Sequence, residues 1–191
     1  AWRLRPDGAG GGTGRPAVPP AVAGGTDGGG ETAMTVTIRP MRRADIGRVY
    51  EIECACFRTP WSKLSLLSEL RNGAAVYLVA EADGRLVGYG GMWIVLDEAH
   101  VTNIAVVEGY RRRGIARALL LRLMARALER GAERMTLEVR EHNLAAQALY
   151  AGLGFYQNGF RPRYYPDTGE GAQLLWNDDL AKTVAQNEKM C

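Results

Sequence analysis

The sequence predicts an α/β fold (mixed α+β): one mixed β-sheet with helices on its faces, in the order β-α-α-β-β-β-α-β-α-β-β. Three observations predict it. Short runs of alternating apolar residues give way repeatedly to runs with apolar residues three to four positions apart. Asp83-Gly84 stands between two alternating runs, and a primed hairpin turn there needs positive φ. A basic loop ending in Gly114 joins a strand pattern to the longest helical pattern.

The elements follow in order. Val36 and Ile38 alternate with polar residues as a strand. Asp45 is placed to cap a helix with Ile46, Val49, Tyr50 and Phe57 on one side, which Pro60-Trp61 breaks. Ser62 is placed to cap a second helix with Leu67 and Leu70 inward and Gly73 as its stop. Val76 to Ala80 and Leu86 to Val95 read as the hairpin strands, and His100 to Val106 as the next. Ile115, Leu119, Leu123 and Ala127 mark a helix from Ile115 to Arg130, stopped by Gly131. Met135 to Arg140 is a strand, Leu144 to Ala151 a short helix with Gly152 and Gly154 at its exit, and Phe155 to Arg161 and Gln173 to Trp176 the last strands.

The chain has 191 residues, enough for one domain with some extra sequence. Residues 1–33 hold ten of the 24 glycines and four of the 8 prolines, with few large apolar residues. Such a stretch buries too little surface to offset its ordering entropy, so it reads as a disordered extension, with Met34 as a candidate first residue. Its two triple-glycine runs have no strand before them and no helix after, which makes them linker rather than phosphate loops. The organisation expected is therefore an extension over 1–33, a domain over 34–180 and a tail over 181–191.

The net charge is +3, far below that of a dedicated nucleic-acid binder. The 3 cysteines, Cys54, Cys56 and Cys191, show no framework spacing and fit a reducing compartment. Histidines sit at 100 and 142 only, so no metal is expected with Cys54-Ala-Cys56. No apolar run has the ~20 residues of a membrane span. A cytoplasmic protein with no membrane partner is expected; the oligomeric state is left open.

Three features carry chemistry. In Glu108 to Arg117, E-G-Y-R-R-R-G-I-A-R, a helix begins where free N–H groups and the dipole favour an anion. Gly114 and Ala116 leave room for a ligand, and Arg111, Arg112 and Arg113 add charge suited to phosphate. The same run also fits a solvated basic turn. In Met135-Thr136-Leu137-Glu138-Val139, period two sets Glu138 opposite the face of Met135, Leu137 and Val139. A partly desolvated carboxylate is a better base, although a surface glutamate paired with Arg140 or a neighbour fits as well. Asn143 is placed either to cap the next helix or to reach a ligand. Tyr150 on that helix is either a proton donor or a packed aromatic.

Together these segments resemble the GNAT superfamily of acetyl-CoA-dependent N-acetyltransferases over nearly all of Val36 to Trp176. The R-R-R-G-I-A loop is similar to the family's Q/R-x-x-G-x-G/A pyrophosphate loop. Phe57 to Ser62 (F-R-T-P-W-S), Leu96 to Ala99 (L-D-E-A), N-I-A-V, L-E-V-R, A-L-Y and Arg161 to Pro166 (R-P-R-Y-Y-P) are similar to the RimI type. That type acetylates the N-terminal alanine of a small-subunit ribosomal protein. The resemblance implies a GNAT-like sheet and acetyl-CoA as co-substrate. It assigns the pantetheine arm to Ile104, Ala105 and Val106. The pyrophosphate falls to Arg112, Arg113, Gly114, Ile115, Ala116 and Arg117, and a further cofactor contact to Asn143. Glu138 is then general base and Tyr150 general acid, and the acceptor is a ribosomal protein N-terminus. A lysine, another N-terminus or a polyamine as acceptor, and a non-catalytic acyl-CoA sensor, are the competing readings.

Overall fold

The computed structural model describes residues 34–188. The expected extension over 1–33, Cys191 and the last residues of the expected tail lie outside them. The elements are β1 (Val36–Pro40), α1 (Ile46–Cys56), α2 (Lys63–Glu69), β2 (Ala75–Ala82), β3 (Arg85–Val95), β4 (Glu98–Val106), α3 (Ile115–Glu129), β5 (Arg134–Arg140), α4 (Leu144–Ala151), β6 (Tyr156–Tyr165), β7 (Glu170–Asn177) and α5 (Leu180–Glu188). The strands form one 7-stranded sheet in the order β1-β2-β3-β4-β5-β7-β6. Only β4 and β5 pair parallel; the other neighbours are antiparallel.

Strand alternation divides the core between the two faces. Leu78, Ala80 and Ala82 of β2 join the cluster built on Leu119, Leu120, Leu123 and Met124 of α3. Tyr77 and Val79 of the same strand join the opposite cluster, with Val49, Ile52 and Leu66 of α1 and α2. The tight fit shows at Gly91, where a Cβ would stand 2.2 Å from the Tyr77 ring.

The order of strands and helices through β7 is the one the sequence predicts. Asp83 and Gly84 have φ of 50° and 73°, the paired positive values of a primed turn. Ser62 caps α2, accepting from the Ser65 N–H at 3.0 Å. Three expectations are corrected. Asp45 makes no side-chain cap on α1. Its carboxylate binds Arg39 at 2.7 and 2.9 Å and accepts from the Arg42 N–H at 2.7 Å, because Asp45 ends the short 3-10 turn Arg43–Asp45 that leads into α1. On α2 the fully buried residue is Leu66 and Leu67 is only half-buried, whereas Leu70 packs on the same cluster as expected. The first part of the expected tail over 181–191 is helical: α5 starts at the fully buried Leu180 and packs on α3. Its Thr183 accepts from Asn177 Nδ2 at 2.9 Å, a polar anchor that an apolar pattern does not reveal.

Candidate active site

The site exists because two parallel strands part. β4 and β5 pair only at Glu98–Arg134, Ala99–Met135 and His100–Thr136. Beyond them the strands border a cavity of about 1200 Å³, lined by β4, the start of α3, β5, α4 and the β6–β7 hairpin. In an antiparallel ladder, hydrogen-bonding residues alternate. The Val107 N–H bonds the Val87 carbonyl at 2.9 Å, so Ala105 also turns its polar groups toward β3. Ile104 and Val106 therefore turn theirs toward the gap, and both line the cavity. Ala105 does not; its methyl is buried among α1 and α2 side chains. Of the three β4 residues expected at the pantetheine arm, two are suitably placed. An extended chain with amide groups fits such an open strand edge.

The loop before α3 is a cradle. Arg112 and Gly114 have φ of 62° and 79°, and the left-handed turn aims successive N–H groups to one side. No atom lies within 4 Å of a Cβ built on Gly114, so backbone conformation is what calls for glycine there. Arg112, Gly114, Ile115, Ala116 and Arg117 all line the cavity. The Ile115 side chain is in the core and offers only its backbone. Arg117 also donates to Asn187 of α5. Arg113 turns away: its guanidinium lies 5.5 Å from the Tyr110 ring centroid and 3.7 Å from Met34 Sδ. Arg111, which the resemblance left out, lines the cavity and donates to the Val106 carbonyl at 3.0 Å. These residues fit a pyrophosphate: a helix N-terminus, left-handed backbone and arginines converge on one wall.

Glu138 stands mid-strand on β5 with its side chain 1% exposed, on the cavity wall. Thr136, on the same face, is fully buried and donates to the Leu175 carbonyl at 3.0 Å. Glu138 thus looks into a desolvated gap rather than onto an open sheet surface. Its ionic neighbour is Arg161 of β6, 3.6 Å away, and not Arg140. Tyr150, on α4, lines the same cavity and packs edge-on against Phe155 at 5.8 Å. Burial pushes its phenol up to about 12, so it holds its proton at any physiological pH. Asn143 Oδ1 caps α4, accepting from the Ala146 N–H at 3.2 Å, and the residue also lines the cavity.

The remaining wall comes from Phe57, Arg58, Thr59 and Trp61 after α1 and from Tyr164 to Thr168 of the hairpin. Arg140 fixes that hairpin. It binds Asp167 at 2.7 and 3.0 Å, Thr168 at 2.8 Å and Glu170 at 3.2 Å, and lies 3.9 Å over the Tyr165 ring. The Arg140 guanidinium holds the Asp167 carboxyl below its usual range. For Glu170 the His142 N–H does so first, and Arg140 adds to it. Lowered carboxyls stabilise the hairpin above their unfolded pKa of ~4 and lose that contribution in acid. Arg140→Ala is expected to destabilise the fold by about 1–3 kcal/mol, the worth of its charge-assisted bonds, which a thermal melt checks.

Residues 46–155 match the model of the Acetyltransferase (GNAT) family, and the chain belongs to that family. It is an acyltransferase, and acetyl-CoA is the family's donor. Among individual proteins, one from Bacillus subtilis (strain 168) is 45% identical over 140 residues, 73% of this chain and 93% of its own length. Its provisional name is ribosomal protein bS18-alanine N-acetyltransferase. The protein of that name from Escherichia coli (strain K12) is 36% identical over 132 residues, covering 69% of this chain and 88% of its own. The crystal structure of the ribosomal-protein-S18-alanine N-acetyltransferase from Escherichia coli aligns with a TM-score of 0.69 at 35% identity, over 74% of this chain and 92% of that one. The chain is thus similar to the RimI type.

Among the described residues no three His, Cys, Asp or Glu side chains stand together as metal ligands. No helix among them is long and apolar enough to cross a membrane.

Proposed function

We propose that the chain transfers the acetyl group of acetyl-CoA to the N-terminal α-amine of a protein, with the alanine terminus of ribosomal protein bS18 as acceptor. The observation that carries the chemistry is the pair Glu138 and Tyr150 on the walls of one cavity, the first nearly sealed from water and the second held protonated. The acceptor is carried by similarity to the bS18-alanine N-acetyltransferases.

Acetyl-CoA supplies an activated thioester carbonyl. Ile104 and Val106 hold the pantetheine arm along the open edge of β4. Arg112, Gly114 to Ala116 and Arg117 hold the pyrophosphate, joined by Arg111, and Asn143 adds an amide contact. Glu138 takes the proton that the attacking ammonium must lose, directly or through water. A β4 N–H near Val106 faces the oxygen on which negative charge develops. Tyr150 donates toward the departing sulfur.

An α-amine suits a single glutamate. Its reference pKa is ~7.7–8.0 against ~10.4 for lysine, so freeing lysine costs about 3–4 kcal/mol more. Residues 34–180, closed by α5, form the catalytic unit in this reading. A reducing cytoplasm suits both the substrate and the free thiols of Cys54 and Cys56.

A panel of acceptors tests the proposal: a peptide with the bS18 N-terminus, the same peptide with its α-amine blocked and an internal lysine, and spermidine. Product mass should rise by one acetyl on the first alone. Faster turnover on the lysine peptide or spermidine would replace the acceptor. Donor binding with no turnover on any amine would make the protein an acyl-CoA sensor.

A further inference from the structure

The α1 helix buries one stripe, Ile46, Val49 and Ile52, and Glu53 falls on it. A carboxylate occupies a place where the helical period asks for an apolar residue. Glu53 is fully buried. Removing a carboxylate from water costs several kcal/mol, and groups kept at that cost in a cleft are functional candidates.

Its orientation is built in. The β3–β4 ladder shifts register after Gly91: Gly91 faces Asn103, and Met92 faces Val101. Thr102 is the extra residue of a bulge, and bulges re-aim side chains beside active sites. Thr102 and Asn103 consequently both turn toward the α1 side of the sheet. Thr102 Oγ1 meets the Tyr77 hydroxyl at 3.0 Å, and Asn103 Nδ2 donates to Glu53 Oε1 at 3.0 Å. Tyr89, also fully buried, adjoins the same carboxylate. Glu53 lines the cavity one helical turn before Phe57, at the foot of the acceptor wall.

We propose that Glu53 is the anionic seat of the acceptor's α-ammonium, holding it beside the thioester until Glu138 removes the proton. This rests on the α-amine reading above. Glu53 takes no proton and forms no bond; it binds charge, and the attraction is strong because the site is dry. The bulge and Asn103 aim it, which makes Asn103 a positioning residue.

The test compares a peptide bearing an N-terminal amine with its analogue bearing an α-hydroxyl, both titrated calorimetrically into the protein saturated with coenzyme A. The wild type should prefer the amine at least tenfold. Glu53→Gln should lose that preference and raise peptide KM about tenfold, with the KM for acetyl-CoA within twofold; Glu138→Gln should keep the preference. Equal binding of both peptides to the wild type would overturn the proposal, and that arm needs no variant to fold. A preference kept in E53Q and lost in E138Q would overturn it too, by assigning the seat to Glu138. Absence of turnover on every α-amine peptide would bring down the parent reading and this one together, whereas wild-type turnover with an unchanged E53Q would bring down this one alone.

Discussion

Glu138→Gln is expected to lower kcat about 10³-fold, within the range for loss of the proposed general base. The substitution keeps the shape of a side chain that is 1% exposed and lies 3.6 Å from Arg161, so folding should survive. The KM for acetyl-CoA should move less than twofold, because the residues proposed to hold the donor lie on β4, the α3 loop and α4. An amide cannot accept the ammonium proton, so raising the pH deprotonates the acceptor in bulk and should recover part of the rate. Stopped-time mass spectrometry of the acetylated peptide between pH 6 and 10 measures both effects. A variant with wild-type kcat at pH 7 would remove Glu138 from the chemistry.

Tyr150→Phe is expected to lower kcat about 10²-fold, at the low end for the proposed general acid. The reason for the low end is the leaving group. A thiolate with a reference pKa of ~8.5 departs without full protonation. With the phenol pushed up to about 12, complete transfer to that thiolate would be uphill by about 5 kcal/mol. Tyr150 is better suited to a hydrogen bond that strengthens as charge gathers on sulfur. The sign of the pH effect follows: below about 12 the phenol stays protonated, so the loss should be one constant factor from pH 6 to 10. A loss that grows with pH, or none, would show that another donor serves the sulfur.

Much of the fold was legible because its elements use local signals. Asp83-Gly84 announces its turn, and Ile115, Leu119, Leu123 and Ala127 announce α3. What was missed depends on distant partners. Asp45 reads as a cap until Arg39 is beside it. α5 reads as a tail because Leu180 and Thr183 find their partners on other elements. In the site, the order strand, loop, helix, strand, helix places Arg112, Gly114, Ile115, Ala116, Arg117, Glu138 and Tyr150 around one cavity. Which arginine turns inward was not legible: Arg113 is drawn off by Tyr110 and Arg111 is drawn in by the Val106 carbonyl. Arg161 as the neighbour of Glu138 requires the β6–β7 register, which no pattern in β5 contains. Glu53 left a trace in the sequence, a charge seven residues after Ile46 on an otherwise apolar stripe.

The parting of β4 from β5 has a thermodynamic side. Three residue pairs stitch the four-strand leaf β1–β4 to the three-strand leaf β5–β7. A donor lying along Ile104 and Val106 would supply the missing seam and act as a surrogate strand. Occupancy then becomes a term in the folding equilibrium, worth about 2.7 kcal/mol at a hundredfold excess over Kd. The backbone amides of Ile104 and Val106 should exchange with solvent quickly in the free protein and slowly in the complex. The resting enzyme carries an unfinished sheet, and its melting temperature is a gauge of the donor concentration around it.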